Sequence, residues 1–137
     1  MTSVLYGVLD AARDARLYPL VLQSPNYSCL FAGDLAPPLR PAAPYLVELS
    51  DATPLKEVWR NEGWGLAWGI LVRSPLDLSA LHRHLRRFLL AQLPDGQMAL
   101  FRFYDPRVWR VYWPSCTEDE KAQWLQGIDE IVAEERG

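Results

Sequence analysis

The apolar positions of this chain fall into short runs of strand length, separated by amphipathic stretches and turns. The run Trp68–Val72 is apolar throughout, which favours a strand in the middle of a sheet that is covered on both faces. The other runs are bounded by turn residues or prolines. We predict strands over Val4–Leu9, Asn26–Phe31, Tyr45–Leu49, Trp68–Val72 and Met98–Tyr104.

Helical periodicity lies between these runs. Asp77 is a good N-cap, and the apolar stripe after it leaves the neighbouring arginines on the outward face. The pattern Thr117-x-x-Glu120 is a capping box, which predicts the start of a last helix. That helix is expected to turn Trp124, Leu125, Ile128, Ile131 and Val132 inward. Further helices are predicted around Tyr18–Gln23, from Thr53-Pro54 to Arg60, from Leu78 to Leu89, and over Arg107–Trp113.

Two segments read as connections. Gly33–Pro44 carries four prolines, so it can be neither a helix interior nor a central strand. Pro94-Asp95-Gly96 is a turn that precedes a strand. Strands and helices thus alternate, and the sequence predicts a single α/β domain with a mixed β-sheet of four or five strands packed with helices.

Composition removes several classes of function. The 137 residues are half apolar, which is typical of one folded domain, and the net charge of −3 gives no general attraction to nucleic acid. No apolar run is long enough to span a bilayer, and no basic segment precedes an apolar run at the N-terminus. Two separated cysteines predict a reduced chain. We therefore expect a cytoplasmic protein that binds neither nucleic acid nor membrane.

Common catalytic patterns fail one by one. Gly63-x-Gly65 precedes a strand and has Trp68 where a third glycine should stand, so a flexible turn is preferred over a nucleotide site. His82 and His84 are two residues apart on a predicted helix, so they cannot jointly hold a metal. Cys29 and Cys116 are interpreted as buried structural thiols. The sequence predicts no catalytic residue, no metal and no cofactor.

One alternative with a small-molecule site stays open. Asp105 lies at the end of a predicted strand, where α/β proteins often bind ligands, and Arg102 or Arg107 could complete a site there. The simpler interpretation is that Asp105 and Pro106 begin a helix and that an arginine pairs with the carboxylate. A small enzyme or ligand-binding domain would require a deep pocket at this position.

The remaining signal is an unusual density of arginine and aromatic side chains on two helices. Taken on their own, the arginines of the first helix are explained more simply as a solvated polar face. On the second helix, aromatic residues beside arginines have the composition of a protein-binding hot spot. We predict a protein-binding surface made of Arg83, Arg86, Arg87, Arg107, Trp109, Arg110, Tyr112 and Trp113.

Several segments resemble a bacterial family called domain of unknown function 4123. They are APYLVEL, WGLAWGILVRSPLDLSALHRHLRRFL and LPDGQMALFRFYDPRVWRVYWPSCTEDE, with the most specific similarity at Trp68-Gly69, at His84 to Arg87 and at Phe101 to Arg107. The resemblance implies a cytoplasmic, non-enzymatic adaptor or chaperone of type VI secretion. Such an adaptor binds a particular secreted effector and helps to load it onto the VgrG spike, which is a further candidate partner.

The resemblance also gives an expectation about domain organisation. Many family members continue into a second, helical lobe. Residues 1–137 are expected to form one adaptor domain that corresponds to the first lobe, without the second.

Overall fold

A five-stranded sheet organises the molecule, and its strands lie in the order β2-β3-β1-β4-β7. The computed structural model describes residues 2–31 and 35–135. The strands of this sheet are β1 (Val4–Asp10), β2 (Tyr27–Cys29), β3 (Pro44–Glu48), β4 (Gly69–Ser74) and β7 (Glu130–Ala133). A separate hairpin consists of β5 (Leu90–Gln92) and β6 (Met98–Leu100).

The helices pack on both faces of the sheet. They are α1 (Leu17–Leu22), α2 (Pro54–Val58), α3 (Leu78–Arg86), α4 (Pro106–Ser115) and α5 (Glu118–Trp124). A π-helical turn over Trp59–Gly63 extends α2, and 3₁₀ turns occupy Ala11–Arg13 and Pro37–Ala42. The predicted α/β class, the single domain fold and the strand number of the main sheet are confirmed.

Strand direction differs from the prediction. Every pairing in the sheet is antiparallel, so the expectation of a mixed sheet is corrected. Helix α2 does connect two strands of the same direction, β3 and β4, as a crossover connection should. However, β1 lies between them and runs the opposite way. The predicted succession of a strand, a helix and a strand agrees with β3, α2 and β4. That local pattern does not indicate that β1, an earlier strand, lies between β3 and β4.

Alternating side chains of the strands divide the core in two. Tyr6 and Val8 of β1 point toward a cluster that includes α3, α4 and α5, and that contains Phe103, Trp109 and Trp124. Leu9 points to the opposite cluster, which is covered by α1, α2 and the π-helical turn. This period of two is the direct consequence of strand geometry.

The C-terminal segment corrects a second expectation. The capping box at Thr117 and Glu120 is present, as predicted, but the helix ends at Trp124. Gly127 then adopts a φ of +72°, and the chain continues as β7. Ile128 and Ile131 are spaced as on a helix, but a turn followed by an alternating strand also brings both to the core. The acidic residues of this segment are consequently spread over α5, the turn that follows it, and β7.

Other boundaries also moved. The predicted strand Met98–Tyr104 ends at Leu100, and the strand β5 that precedes its turn was not predicted. Helix α4 continues beyond Pro114 to Ser115. In the proline-rich connection, Gly33 and Asp34 lie outside the described residues, and Pro37–Ala42 forms a 3₁₀ helix that the loop prediction did not include.

Candidate protein-binding surface

Helix α3 presents its arginines to solvent. Asp77 caps the helix by accepting a hydrogen bond of 2.8 Å from the backbone nitrogen of Ala80. The apolar stripe, with Leu81 and Leu85 fully buried, then fixes the opposite face outward. Arg83, Arg86 and Arg87 are exposed on that face. Within the described residues their guanidinium groups make no ion pair and no hydrogen bond, so they are available to an acidic partner.

Helix α4 is more deeply embedded than the sequence predicted. Trp109 is only 4% exposed. Its ring packs edge-on against Trp124 with centroids 5.0 Å apart, and it stacks on Trp113 at 5.1 Å. The prediction that Trp109 offers an aromatic contact surface is therefore corrected: this residue is part of the core. The spacing of Trp109 with Tyr112 and Trp113 is equally typical of a buried helix face, which explains the error.

The other α4 residues lie at the margin of the core. Tyr112 and Trp113 are half-buried, and the Tyr112 hydroxyl accepts a hydrogen bond of 2.9 Å from Trp124 Nε1. The ammonium group of Lys121 lies 5.5 Å from the Trp113 ring centroid. Arg110 donates a hydrogen bond of 2.9 Å to the carbonyl oxygen of Glu134. Of this group, Tyr112 and Trp113 retain surface that a partner could contact.

Residues from both predicted helices line one cavity. Arg87, just after α3, and Tyr112 of α4 line the same cavity, which has a volume of about 230 Å³. Phe88 and Phe101 form its aromatic wall, and the Phe101 ring meets the Tyr112 ring edge-on at 4.7 Å. The remaining lining residues are Leu90 and Ala91 of β5. A cation beside an aromatic, partly apolar cleft is a suitable receptor for an amphipathic protein segment.

The hairpin beside this cavity carries the most exposed apolar surface near α3. Leu90 and Leu100 are opposite each other in the hairpin and are 58% and 41% exposed. Met98 lies on the same face and is 57% exposed. Leu93, in the connecting turn, is 42% exposed. Clustering of large apolar side chains in solvent is typical of an interaction site. We call this region the hairpin surface. It consists of the cavity, of Leu90, Leu93, Met98 and Leu100, and of the three arginines Arg83, Arg86 and Arg87.

Sequence reasoning missed the hairpin half of this surface. The predicted helix ends at Leu89 and the predicted turn follows, so no strand is predicted for Leu90–Gln92. The signal was present: a turn with Pro94 and Gly96 separates two short apolar runs, as in a β-hairpin with a longer loop. Which side of such a hairpin faces solvent depends on tertiary packing.

The carboxylate of Asp105 has a structural role at the start of α4. Asp105 is 6% exposed, and its carboxylate accepts hydrogen bonds from the backbone nitrogen of Arg107 at 2.9 Å and from the Arg107 guanidinium at 2.7 Å. Burial by itself raises the pKa of Asp105, but the hydrogen bonds and charge of Arg107 outweigh it and lower the pKa below the ordinary value of 3.8. Arg102 instead pairs with Asp10. None of the three described cavities is lined by Asp105.

The histidine and cysteine side chains are also held by contacts within the fold or are partly or fully buried. Nε2 of His82 lies 2.7 Å from the carbonyl oxygen of Cys29, and Nε2 of His84 lies 2.8 Å from that of Trp124. Cys116 is buried, and burial raises the pKa of the half-buried Cys29 thiol. Across residues 2–31 and 35–135, no group of three histidine, cysteine, aspartate or glutamate side chains is placed to hold a metal ion.

Comparison with known proteins shows the family. The chain belongs to the family described as Domain of unknown function (DUF4123), which matches residues 5–123. No curated protein and no solved structure matches the chain significantly. None of the helices formed by the described residues has the length and apolar character required to cross a membrane.

Proposed function

We propose that this protein is an adaptor of type VI secretion that binds a specific effector in the cytoplasm and helps to load it onto the VgrG spike. Membership of the DUF4123 family supports this role, since the resemblance described above implies it. The observation that carries the proposal is the hairpin surface, where exposed apolar side chains lie beside Arg87, which lines the same cavity as Leu90. Arg83 and Arg86 are exposed on the preceding helix, and none of the three arginines has an ion-pair partner among the described residues.

Binding would follow from the chemistry of this surface. An apolar or aromatic segment of the effector buries Leu90, Met98 and Leu100, which supplies the favourable free energy of removing apolar area from water. Acidic groups of the effector meet Arg83 and Arg87 and thereby fix its orientation. Because no chemical step is required, the complex can form and dissociate reversibly.

Asp105 does not support the alternative of a small enzyme or ligand-binding domain. Its carboxylate caps α4 and pairs with Arg107, and the described cavities lie elsewhere. We therefore keep the adaptor as the one proposed function and expect no catalytic activity.

Co-expression tests the proposal directly. This chain is produced with the effector and the spike protein encoded beside its gene, and is then isolated by an affinity tag and by size-exclusion chromatography. We expect a stable complex with the effector, together with more soluble effector than in its absence. A folded chain that retains neither protein would refute the proposed function.

A further inference from the structure

A second apolar surface lies on the other face of the sheet, far from α3 in the fold. It is a cavity of about 350 Å³ beneath the π-helical turn. Its floor is formed by Leu5 of β1, Leu71 of β4 and Val132 of β7, and Trp59 and Trp64 form its wall. Trp64 is 44% exposed and Val132 is 36% exposed, so the cavity opens to solvent. We call it the edge groove.

Strand register explains why the groove is open at one side. Val47, Gly7, Leu71 and Val132 form one row across β3, β1, β4 and β7. Helix α2 and the π-helical turn cover the row at Val47 and Gly7, where Trp59 lies against the glycine. The cover does not extend over Val132. The apolar row therefore runs out from the core to the edge of the sheet.

At that edge the backbone of β7 is also available. In the described part of the chain, β7 pairs with β4 and with no second strand. An outer antiparallel strand turns the N–H and C=O groups of alternate residues away from its neighbour. The edge groove thus combines unpaired backbone groups with an apolar trough along the same strand. An extended polypeptide that adds to a sheet edge uses both of these features.

The wall of the groove contains a second unsatisfied group. Trp59 Nε1 is buried and has no hydrogen-bond partner within the described residues. A buried donor without an acceptor is costly, and π-helical turns such as Trp59–Gly63 occur frequently at functional sites. The carboxylate of Glu134 accepts hydrogen bonds from the backbone nitrogens of Gly65 and Ala67, at 2.7 and 2.6 Å. This contact ties the loop that carries Trp64 to the end of β7.

Charge distinguishes between the possible occupants. Asp129, Glu130 and Glu135 are exposed acidic residues in or beside β7. The basic side chains around the groove are each already paired with a carboxylate: Lys56 with Asp51, Arg60 with Glu57, and Arg73 with Glu130. Antiparallel pairing of β7 with β7 of a second copy would bring two such acidic sets together along one seam. Like charges on neighbouring strands are destabilising, whereas a basic residue opposite Glu130 is favourable. The edge groove is therefore suited to a different chain rather than to itself.

We propose that the edge groove binds an extended segment of the effector, which adds to the sheet beside β7. Alternate apolar side chains of this segment enter the trough between Trp59, Trp64 and Val132, and a lysine or arginine of the segment lies opposite Glu130. The inference rests on the proposed adaptor function, since it names the second contact of the same partner. The hairpin surface and the edge groove then hold two separate parts of one effector.

Amide hydrogen exchange of this chain, alone and in complex with the effector encoded beside its gene, tests the inference. We expect slower exchange over Glu130–Ala133 in the complex. Val132→Lys should weaken binding by about tenfold or more, because it places a charge in the trough. The control Leu39→Lys alters a leucine that is outside the groove and more exposed than Val132, at 56% against 36%, and should bind as the unaltered chain does. Trp64→Ala provides a second groove variant should Val132→Lys fail to fold.

The outcomes separate this inference from the proposed function. A complex that forms with unchanged exchange at β7, and that is insensitive to both groove variants, overturns the edge groove as a binding site but leaves the adaptor function standing. Absence of any complex refutes both. Concentration-dependent dimerisation that Val132→Lys abolishes, measured by light scattering, would overturn the inference in favour of a second copy as the occupant.

Discussion

The indole ring of Trp59 lies against the α-carbon of Gly7, so that a β-carbon at this glycine would be 2.5 Å from Cζ3 of the ring. The contact places the π-helical turn directly on strand β1. The same ring lines the edge groove. Glycine is required here because of the close approach of a ring, and not because of an unusual backbone angle.

Gly7→Ala should consequently destabilise the protein by about 1 to 3 kcal/mol, the usual cost of overpacking a core. Urea unfolding measures the change. In a Trp59→Leu background the same substitution should cost less, since the ring atoms that clash are gone. Equal costs in both backgrounds would show that the contact is not the cause.

Trp109→Ala should destabilise the fold by about 3 to 5 kcal/mol, because it removes a buried ring that packs on Trp124 and Trp113. Val111, on the same helix, is 76% exposed, and Val111→Ala should change the free energy of unfolding by no more than about 0.5 kcal/mol. Thermal or urea unfolding compares the two variants. A stable Trp109→Ala protein would contradict its assignment to the core.

Glu134→Gln should lower the free energy of unfolding by about 1 to 3 kcal/mol, because an amide group cannot accept both hydrogen bonds from Gly65 and Ala67. Ala67 has a φ of +60°, which further increases the dependence of this loop on the carboxylate. Glu135→Gln, one residue later and exposed, is the matched control. Hydrogen exchange at residues 64–68 should increase in the first variant alone.

The pairing of Asp105 with Arg107 predicts a dependence of stability on pH. Because the pKa of Asp105 is lowered in the folded protein, its contribution is fully present above 3.8 and is lost as the pH falls through the lower, folded value. Asp105→Asn keeps an N-cap residue but removes this titration. Its free energy of unfolding should therefore fall less steeply under acidic conditions, whereas the exposed control Asp119→Asn should retain the original slope.

Charge reversal on α3 tests the hairpin surface. Arg83→Glu combined with Arg87→Glu should weaken effector binding while leaving the melting temperature nearly unchanged, because both side chains are exposed and make no described ion pair. Isothermal titration measures the affinity, and calorimetry measures the melting temperature. The matched variant Arg40→Glu changes an exposed charge on the 3₁₀ turn Pro37–Ala42, outside both the hairpin surface and the edge groove. Parallel loss of binding and stability would assign the arginines to the fold instead.

Much of the architecture followed from local patterns. Apolar runs placed β1, β3 and β4 within a residue or two, and the caps at Asp77, Asp105 and Thr117 marked three helix starts, because the hydrogen bonds of a cap involve only neighbouring residues. The exposed face of α3 followed from its apolar stripe in the same way. These features depend on a few consecutive residues, so a single sequence is sufficient to predict them.

Tertiary structure alone decided what depends on distant neighbours. Trp109 and Tyr112 have similar chemistry and lie on one helix, but only packing against α5 determines that the first is buried and the second reaches a cleft. Likewise, the spacing of Val132 from Ile128 fits a helix equally well. Val132 lies at the sheet edge because the chain turns at Gly127 and continues as a strand paired with β4. The sequence by itself determined the helix caps, the strands β1, β3 and β4 and the inward stripe of α3. Tertiary structure decided the hairpin, strand β7 and which apolar side chains remain at the surface, because these depend on contacts between residues far apart in the chain.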